Sequence, residues 1–233
     1  MVAKNIEIIR QRVGAACARA RRSPEEITLI AVAKTFHSPS IRQALEAGVT
    51  DIGENYVQEL RRKRDEFSDE NIRWHFIGHL QSNKVKYIAP WIHCIHAVDS
   101  LSLGKEIAHQ AGRIGRTLTI FVEVNTSDES SKFGVLPEKA RNVVQQLSLL
   151  KNVDVAGLMT IGPFLPDPDS SRPSFRLLRE IKTEVEREGM LLQHLSMGMT
   201  NDFEVAIEEG STMIRIGTAI FGKRTKPISV NEH

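Results

Sequence analysis

The sequence predicts an α/β chain folded as a single (β/α)8 barrel of the TIM type, spanning residues 1–233, with an extra helix before the first strand. Three observations carry that expectation. Apolar segments of strand length alternate with segments of helical periodicity along the whole chain. Eight such strand segments occur, nearly all separated by helices. Strict β-then-α alternation over roughly 200–250 residues builds a parallel sheet, closed or doubly wound, and eight units favour closure.

The elements follow in order. Ile6, Ile9, Val13, Ala16 and Ala20 recur at helical spacing, while Arg10, Arg12, Arg19 and Arg21 fall mostly off that stripe, so the first segment is an amphipathic helix. It is expected to cover the wall left bare after the last strand, where too little chain remains for a full helix. Ser23-Pro24-Glu25-Glu26 supplies an N-cap, a proline at the first helical position and a capping-box glutamate, hence one short turn. The run 27–33 is continuously apolar and β-rich, as a strand buried on both faces must be. Ser38-Pro39 opens a helix through Ile41, Ala44 and Leu45, and Gly48 closes it. The same cadence places strands at 49–53, 74–77, 92–98, 118–124 and 153–159, near Leu195 and at 213–216. Helices fall at 56–67, 83–88, 101–111, 137–149, 174–188 and 200–208. The loop from Pro163 to Pro173 holds four prolines and reads as a mobile surface loop.

Composition excludes several function classes. The chain is 41% hydrophobic and 26% charged, which is ordinary for a globular protein. Lysine and arginine total 31 against 29 acidic residues, and a net charge of +2 creates no field to gather nucleic acid or an anionic membrane. Cys17 and Cys94 are too few for a disulfide scaffold and suit a reducing compartment. The first residues lack the apolar core of a signal peptide, and no apolar run is long enough to span a bilayer. A soluble cytoplasmic protein is expected.

In barrels of this type, function gathers on the loops after the strands' carboxyl ends. Lys34 directly follows the first strand, and it has two readings. Desolvation at the end of an apolar strand lowers a lysine's pKa and frees a neutral amine to attack an aldehyde. The alternative is a lysine that snorkels to solvent at the rim. Ser196-Met197-Gly198-Met199-Thr200 follows the seventh strand, and Arg215-Ile216-Gly217-Thr218 ends the eighth. These two loops form the usual phosphate seat of the fold, where glycines admit an anion to the backbone and hydroxyls add donors. Thr200, followed by Asp202 and Glu204, reads equally well as a helix cap.

Rival signals are weaker. Residues 217–223 follow P-loop spacing until Arg224 stands where Ser or Thr must bind magnesium. His75 and His79 have zincin spacing but no glutamate between them, and Gly78 interrupts the helix. His93, Cys94 and His96 lie on a strand whose alternating faces keep them from converging, so no metal is expected. The run Arg61-Arg62-Lys63-Arg64, flanked by Glu59, Asp65 and Glu66, reads as a solvated helix face rather than an RNA contact.

Together the stretches 29–35, 53–59, 74–84, 125–134, 157–159, 195–199 and 214–222 resemble one family. It is that of the pyridoxal phosphate homeostasis proteins, relatives of the N-terminal barrel of alanine racemase. The match runs in order through nearly the whole chain. It implies pyridoxal 5′-phosphate as cofactor, held as a Schiff base on Lys34. The phosphate would sit near Ser196, Gly198, Gly217 and Thr218, Arg215 would face the pyridine nitrogen, and Asn55 would join the cofactor-binding set. Asn201 stands where an acidic residue is frequent, and the Pro163 to Pro173 loop is this sequence's own.

The resemblance further implies a role in vitamin B6 homeostasis, buffering or delivering the cofactor without substantial turnover. Apo forms of pyridoxal phosphate enzymes are the implied recipients, and a monomer or weak dimer is expected. An arginine beside the ring nitrogen disfavours its protonation and weakens the cofactor as an electron sink. Enzymes of this kind also need a second acid/base and a wall that excludes water. The short stretch after the last strand is expected to leave the cofactor open on one side. The alternatives are a single-domain amino-acid racemase with Lys34 as one base, and a phosphometabolite-binding barrel with Lys34 as an ordinary cation. Lys132, after the fifth strand, is the candidate second amine for handing over the aldehyde.

Overall fold

The computed structural model describes residues 1–127 and 133–222. Lys132, like Lys223 and Arg224 of the P-loop-like run, lies outside the described residues. Among the described residues no helix is long and apolar enough to cross a membrane.

Helix α1 (Val2–Ala20) buries Ile6, Ile9, Val13, Ala16 and Cys17, the stripe its sequence presents. Arg21, at a left-handed φ of 55°, ends it. A capping box and Pro24 then form the short turn ahead of β1. The barrel alternates β1 (Thr28–Val32), α2 (Ser38–Glu46), β2 (Asp51–Glu54), α3 (Val57–Glu66), β3 (Arg73–Phe76) and α4 (Val85–Ile88). It continues with β4 (Cys94–Val98), α5 (Leu101–Arg113), β5 (Leu118–Glu123), α6 (Pro137–Ser148) and β6 (Val153–Met159). The last units are α7 (Arg172–Arg187), β7 (His194–Ser196), α8 (Phe203–Glu208), β8 (Met213–Ile216) and α9 (Thr218–Phe221).

All eight strands are parallel and the barrel is closed, with β8 meeting β1 through Leu29↔Ile214 and Ile30↔Arg215. Among the described residues only Gly217, the four residues of α9 and Gly222 follow β8. Helix α1 covers this wall: Asn5 Nδ2 donates to Ile220 O at 2.8 Å, and Arg12 pairs with Glu204 at 3.1 Å while lying over the Phe203 ring.

Several boundaries differ from the sequence reading by one to three residues, and two of them bear on the site. Helix α7 starts at Arg172 rather than 174, because Pro173 fits a first turn, where its missing N–H would be unbonded anyway. Ahead of it, residues 168–171 coil into a 3-10 turn capped by Asp167, and Ser171 Oγ donates to buried Asp202 at 3.0 Å. That half of the proline-rich loop is therefore tied to the barrel. Helix α8 starts at Phe203 rather than 200, since the Met199 N–H turns back onto the Asp202 carboxylate at 2.7 Å.

Most of the apolar core lies between sheet and helices, where Ala31, Ile52, Phe76 and Ile95 meet Ile41, Leu60 and Ile88. Burying one such side chain fully stabilises by roughly 1.5–3 kcal/mol. The barrel interior holds a smaller cluster of Cys94, Ala97, Phe121, Ala156 and Met159. It also holds polar groups: His96 on β4 bonds Ser196 on β7 at 2.9 Å, and those strands are not neighbours, so the bond crosses the interior.

Candidate functional site

The chain after β1 turns sharply, with the Phe36 N–H on Ala33 O at 3.0 Å, and half-buried Lys34 occupies this turn. Thr35 takes a φ of 67°, a conformation costing about 1–2 kcal/mol for a residue with a Cβ. Helix α3 grips the turn on both sides of the lysine. Lys63 Nζ donates to Ala33 O at 2.6 Å, and Glu59 Oε1 accepts from the Thr35 N–H at 2.7 Å. Lys63 also pairs with Glu54 at 2.5 Å and Glu59 at 2.7 Å.

The basic run of α3 is therefore not uniformly solvated, because the Lys63 side chain is only 1% exposed. Val57, Leu60 and Lys63 share one face at spacings of three, and that face is buried. Burial raises Glu54 to about 7 against the pull of Lys63. The Ala33 N–H still bonds Gly53 O at 2.9 Å, so the turn that carries Lys34 leaves β1 at the carboxyl end of β2, where Asn55 follows Glu54. Asn55 Oδ1 and Thr35 Oγ1 are buried without a hydrogen-bond partner among the described residues.

The turns after β7 and β8 form one unit. Gly198 has a φ of 94°, and a Cβ there would stand 2.5 Å from Ala206 Cβ, so the position requires glycine. The Arg215 N–H bonds Gly198 O at 3.0 Å, tying the two strand ends together. Thr200 Oγ1 lies 3.1 Å from Thr218 Oγ1 and accepts from the Ala219 N–H at 3.3 Å. Thr200 thus serves the turn after β8 rather than capping α8. Gly217 packs against the Val32 carbonyl at the end of β1, which brings this unit next to the Lys34 turn.

One level further inside, Arg215 NH1 donates to Ser196 Oγ at 2.7 Å and NH2 to Thr160 O at 2.8 Å. Burial lowers this guanidinium to about 10, with Glu123 and Asp202 acting against it. Glu123 is pushed up to about 7 by burial, which outweighs the attraction of Arg215.

Of the residues singled out in the sequence, Lys34, Asn55, Gly198, Gly217 and Thr218 gather at the carboxyl ends of β1, β2, β7 and β8. Ser196 turns its hydroxyl toward Arg215 and His96 instead of toward the glycine turns. Sequence reasoning missed Lys63 and Glu59; the three-residue spacing from Val57 and Leu60 was the available signal. It also separated the histidines wrongly. Cys94 and His96 are two residues apart on one face, and with His75 of the adjacent strand their ligand atoms lie within 4.8 Å of one another, while His93 is exposed. His79 is also exposed and pairs with Asp99 at 3.3 Å. A cavity of about 440 Å³ opens at the opposite end of the barrel, between Arg10, Thr28, Gly48, Asp51 and Arg73, remote from Lys34.

The family model described as alanine racemase, N-terminal domain, matches residues 2–225 of this chain. A pyridoxal phosphate homeostasis protein of Aquifex aeolicus is 44% identical over 215 residues, 92% of this chain and 94% of its own. PipY of Synechococcus elongatus, solved with PLP bound, superposes with a TM-score of 0.83 at 32% identity, covering 95% of this chain and 100% of that one. Alanine racemase of Clostridium difficile gives a TM-score of 0.75 at 14% identity, covering 96% of this chain and 58% of its own, a likeness of fold alone. The chain therefore belongs to the alanine racemase N-terminal domain family and, within it, to the pyridoxal phosphate homeostasis proteins.

Proposed function

We propose that this protein is a cytoplasmic, single-domain carrier of pyridoxal 5′-phosphate, which it holds as a Schiff base on Lys34 and releases without substantial turnover. The observation that carries the reading is the lysine on a clamped turn, set between buried, unpartnered acceptors and a glycine–threonine seat. The name of the Aquifex relative and the PLP in PipY support it.

The residues fit the group chemically. Its aldehyde condenses with a lysine amine with loss of one water. Gly198, Gly217, Thr218 and the Thr200 hydroxyl would cradle the phosphate, because their backbone can be approached closely. Asn55 would take a polar edge of the ring through its unpartnered oxygen. Arg215 would face the ring nitrogen. A guanidinium carries five donors, more than its bonds to Ser196 and Thr160 use. A cation there holds that nitrogen unprotonated, which suits storage better than carbanion chemistry.

The test is direct. Borohydride reduction of the loaded protein followed by peptide mapping is expected to find the pyridoxyl group on Lys34, and amino-acid racemisation is expected to be negligible. A pyridoxyl group on a different lysine refutes the assignment, and racemisation with kcat above roughly 1 s⁻¹ refutes the carrier role.

A further inference from the structure

Six side chains form an unbroken chain of hydrogen bonds through the barrel interior, from the seat to the opposite end. Arg215 NH1 donates to Ser196 Oγ at 2.7 Å, and Ser196 Oγ lies 2.9 Å from His96 Nδ1. His96 Nε2 meets His75 Nδ1 at 2.9 Å, and His75 Nε2 meets Asp51 Oδ1 at 2.9 Å. Arg73 closes the far end with bonds of 2.8 and 2.6 Å to the two Asp51 oxygens. Stacking on Phe121, with ring centroids 4.5 Å apart and planes 2° from parallel, locks the His96 ring.

Chemistry fixes the sense of the chain. An arginine only donates. Burial raises the Asp51 carboxyl, but bonds from His75, Arg73 and Thr50 outweigh it and hold the group ionised, so it only accepts. Between these ends one arrangement satisfies every proton with both imidazoles neutral. Ser196 donates to His96 Nδ1, the His96 Nε2–H to His75 Nδ1, and the His75 Nε2–H to Asp51. The reverse sense requires a charged His75 and leaves the fully buried Ser196 O–H without an acceptor. It would also bury a second uncompensated cation, since Arg73 already balances Asp51. Burial, with the neighbouring Arg215 charge, likewise keeps His96 neutral.

We propose that His96 and His75 are positioning residues, which act through Ser196 to hold the Arg215 guanidinium in one orientation toward the ligand seat. Neither histidine touches the ligand; the interior relay fixes the group that does. The ligand part of this inference rests on the proposed function, whereas the relay itself does not.

Two measurements test it. Long-range ¹H–¹⁵N spectra of the cofactor-free protein at neutral pH should show His75 and His96 both neutral and protonated at Nε2. Protonation of either ring at Nδ1, or one equivalent of tightly bound zinc displacing the proton between the rings, overturns the relay. Second, His96→Phe keeps the aromatic stack but removes both hydrogen bonds. It should retain pyridoxal phosphate about tenfold or more weakly, as expected when a buried bond to a charged group is disturbed. His96→Gln, which restores a donor and an acceptor, should recover part of that loss. Parent-like retention by His96→Phe refutes the positioning role. A parent protein that binds no pyridoxal phosphate but shows both Nε2 tautomers refutes the proposed function and leaves the relay standing.

Discussion

Replacing Lys63 by methionine isolates the clamp on the Lys34 turn. Methionine keeps most of the stem's volume but leaves Ala33 O, Glu54 Oε1 and Glu59 Oε1 each short of a donor. Removing one partner of a buried ion pair costs about 3–5 kcal/mol. Below about pH 7, where Glu54 is protonated, the ion pair lost is Lys63–Glu59, whose side chains are only 1% and 8% exposed, so solvent screening reduces that figure little. For a chain of this size about 3 kcal/mol corresponds to a fall in Tm of roughly 6–12 °C. The deficit also depends on pH. A carboxyl raised by folding gives stability that is complete below its unfolded value near 4.5 and is lost as pH rises through its folded value. With Lys63 present, Glu54 stops losing stability once it ionises at about 7. Without the ammonium its folded value rises further and the loss continues. The deficit of Lys63→Met is therefore flat below about pH 7 and grows by about 1.4 kcal/mol per pH unit above it. Urea unfolding at about pH 6 and about pH 8.5 measures both parts. A deficit under about 1 kcal/mol, or one equal at both pH values, refutes the clamp.

Two further predictions concern the seat and its electrostatics. Gly198→Ala should destabilise by about 2–5 kcal/mol, from backbone strain at a φ of 94° and overlap with Ala206, as read from thermal unfolding. A variant within about 0.5 kcal/mol of the parent would mean that the turn is not crowded. Glu123, raised by burial to about 7, makes the parent lose stability between about pH 4.5 and about pH 7, and Glu123→Gln should flatten that decline by up to about 1.4 kcal/mol per pH unit. Parallel pH–stability curves for the two proteins would contradict the assignment.

What the sequence revealed and what it hid divide along physical lines. The barrel was legible because each strand buried on both faces is a continuous apolar run, as in 27–33, and each helix carries a single stripe, as in α1. Lys34 stood out as a charge ending such a run. Gly198 and Gly217 stood out because glycines after the last strands mark close backbone approach. Lys63 was hidden because three neighbouring charges in the run do face water, and one inward lysine leaves the local composition unchanged. The histidines were hidden for another reason. The relay draws on β2, β3, β4, β7 and β8, and spacing along one strand says nothing of which residues meet across a closed barrel. Thr200 misled because a hydroxyl followed by acids looks the same whether it caps its own helix or bonds the Ala219 N–H of a neighbouring turn.

The central claim is that Lys34 holds pyridoxal phosphate covalently. The measurement that tests it most directly is the visible absorption spectrum of the purified protein with added pyridoxal phosphate, recorded beside Lys34→Ala. The account predicts an imine band in the parent that is absent from the variant. An equal band in both proteins, or none in either, would contradict it.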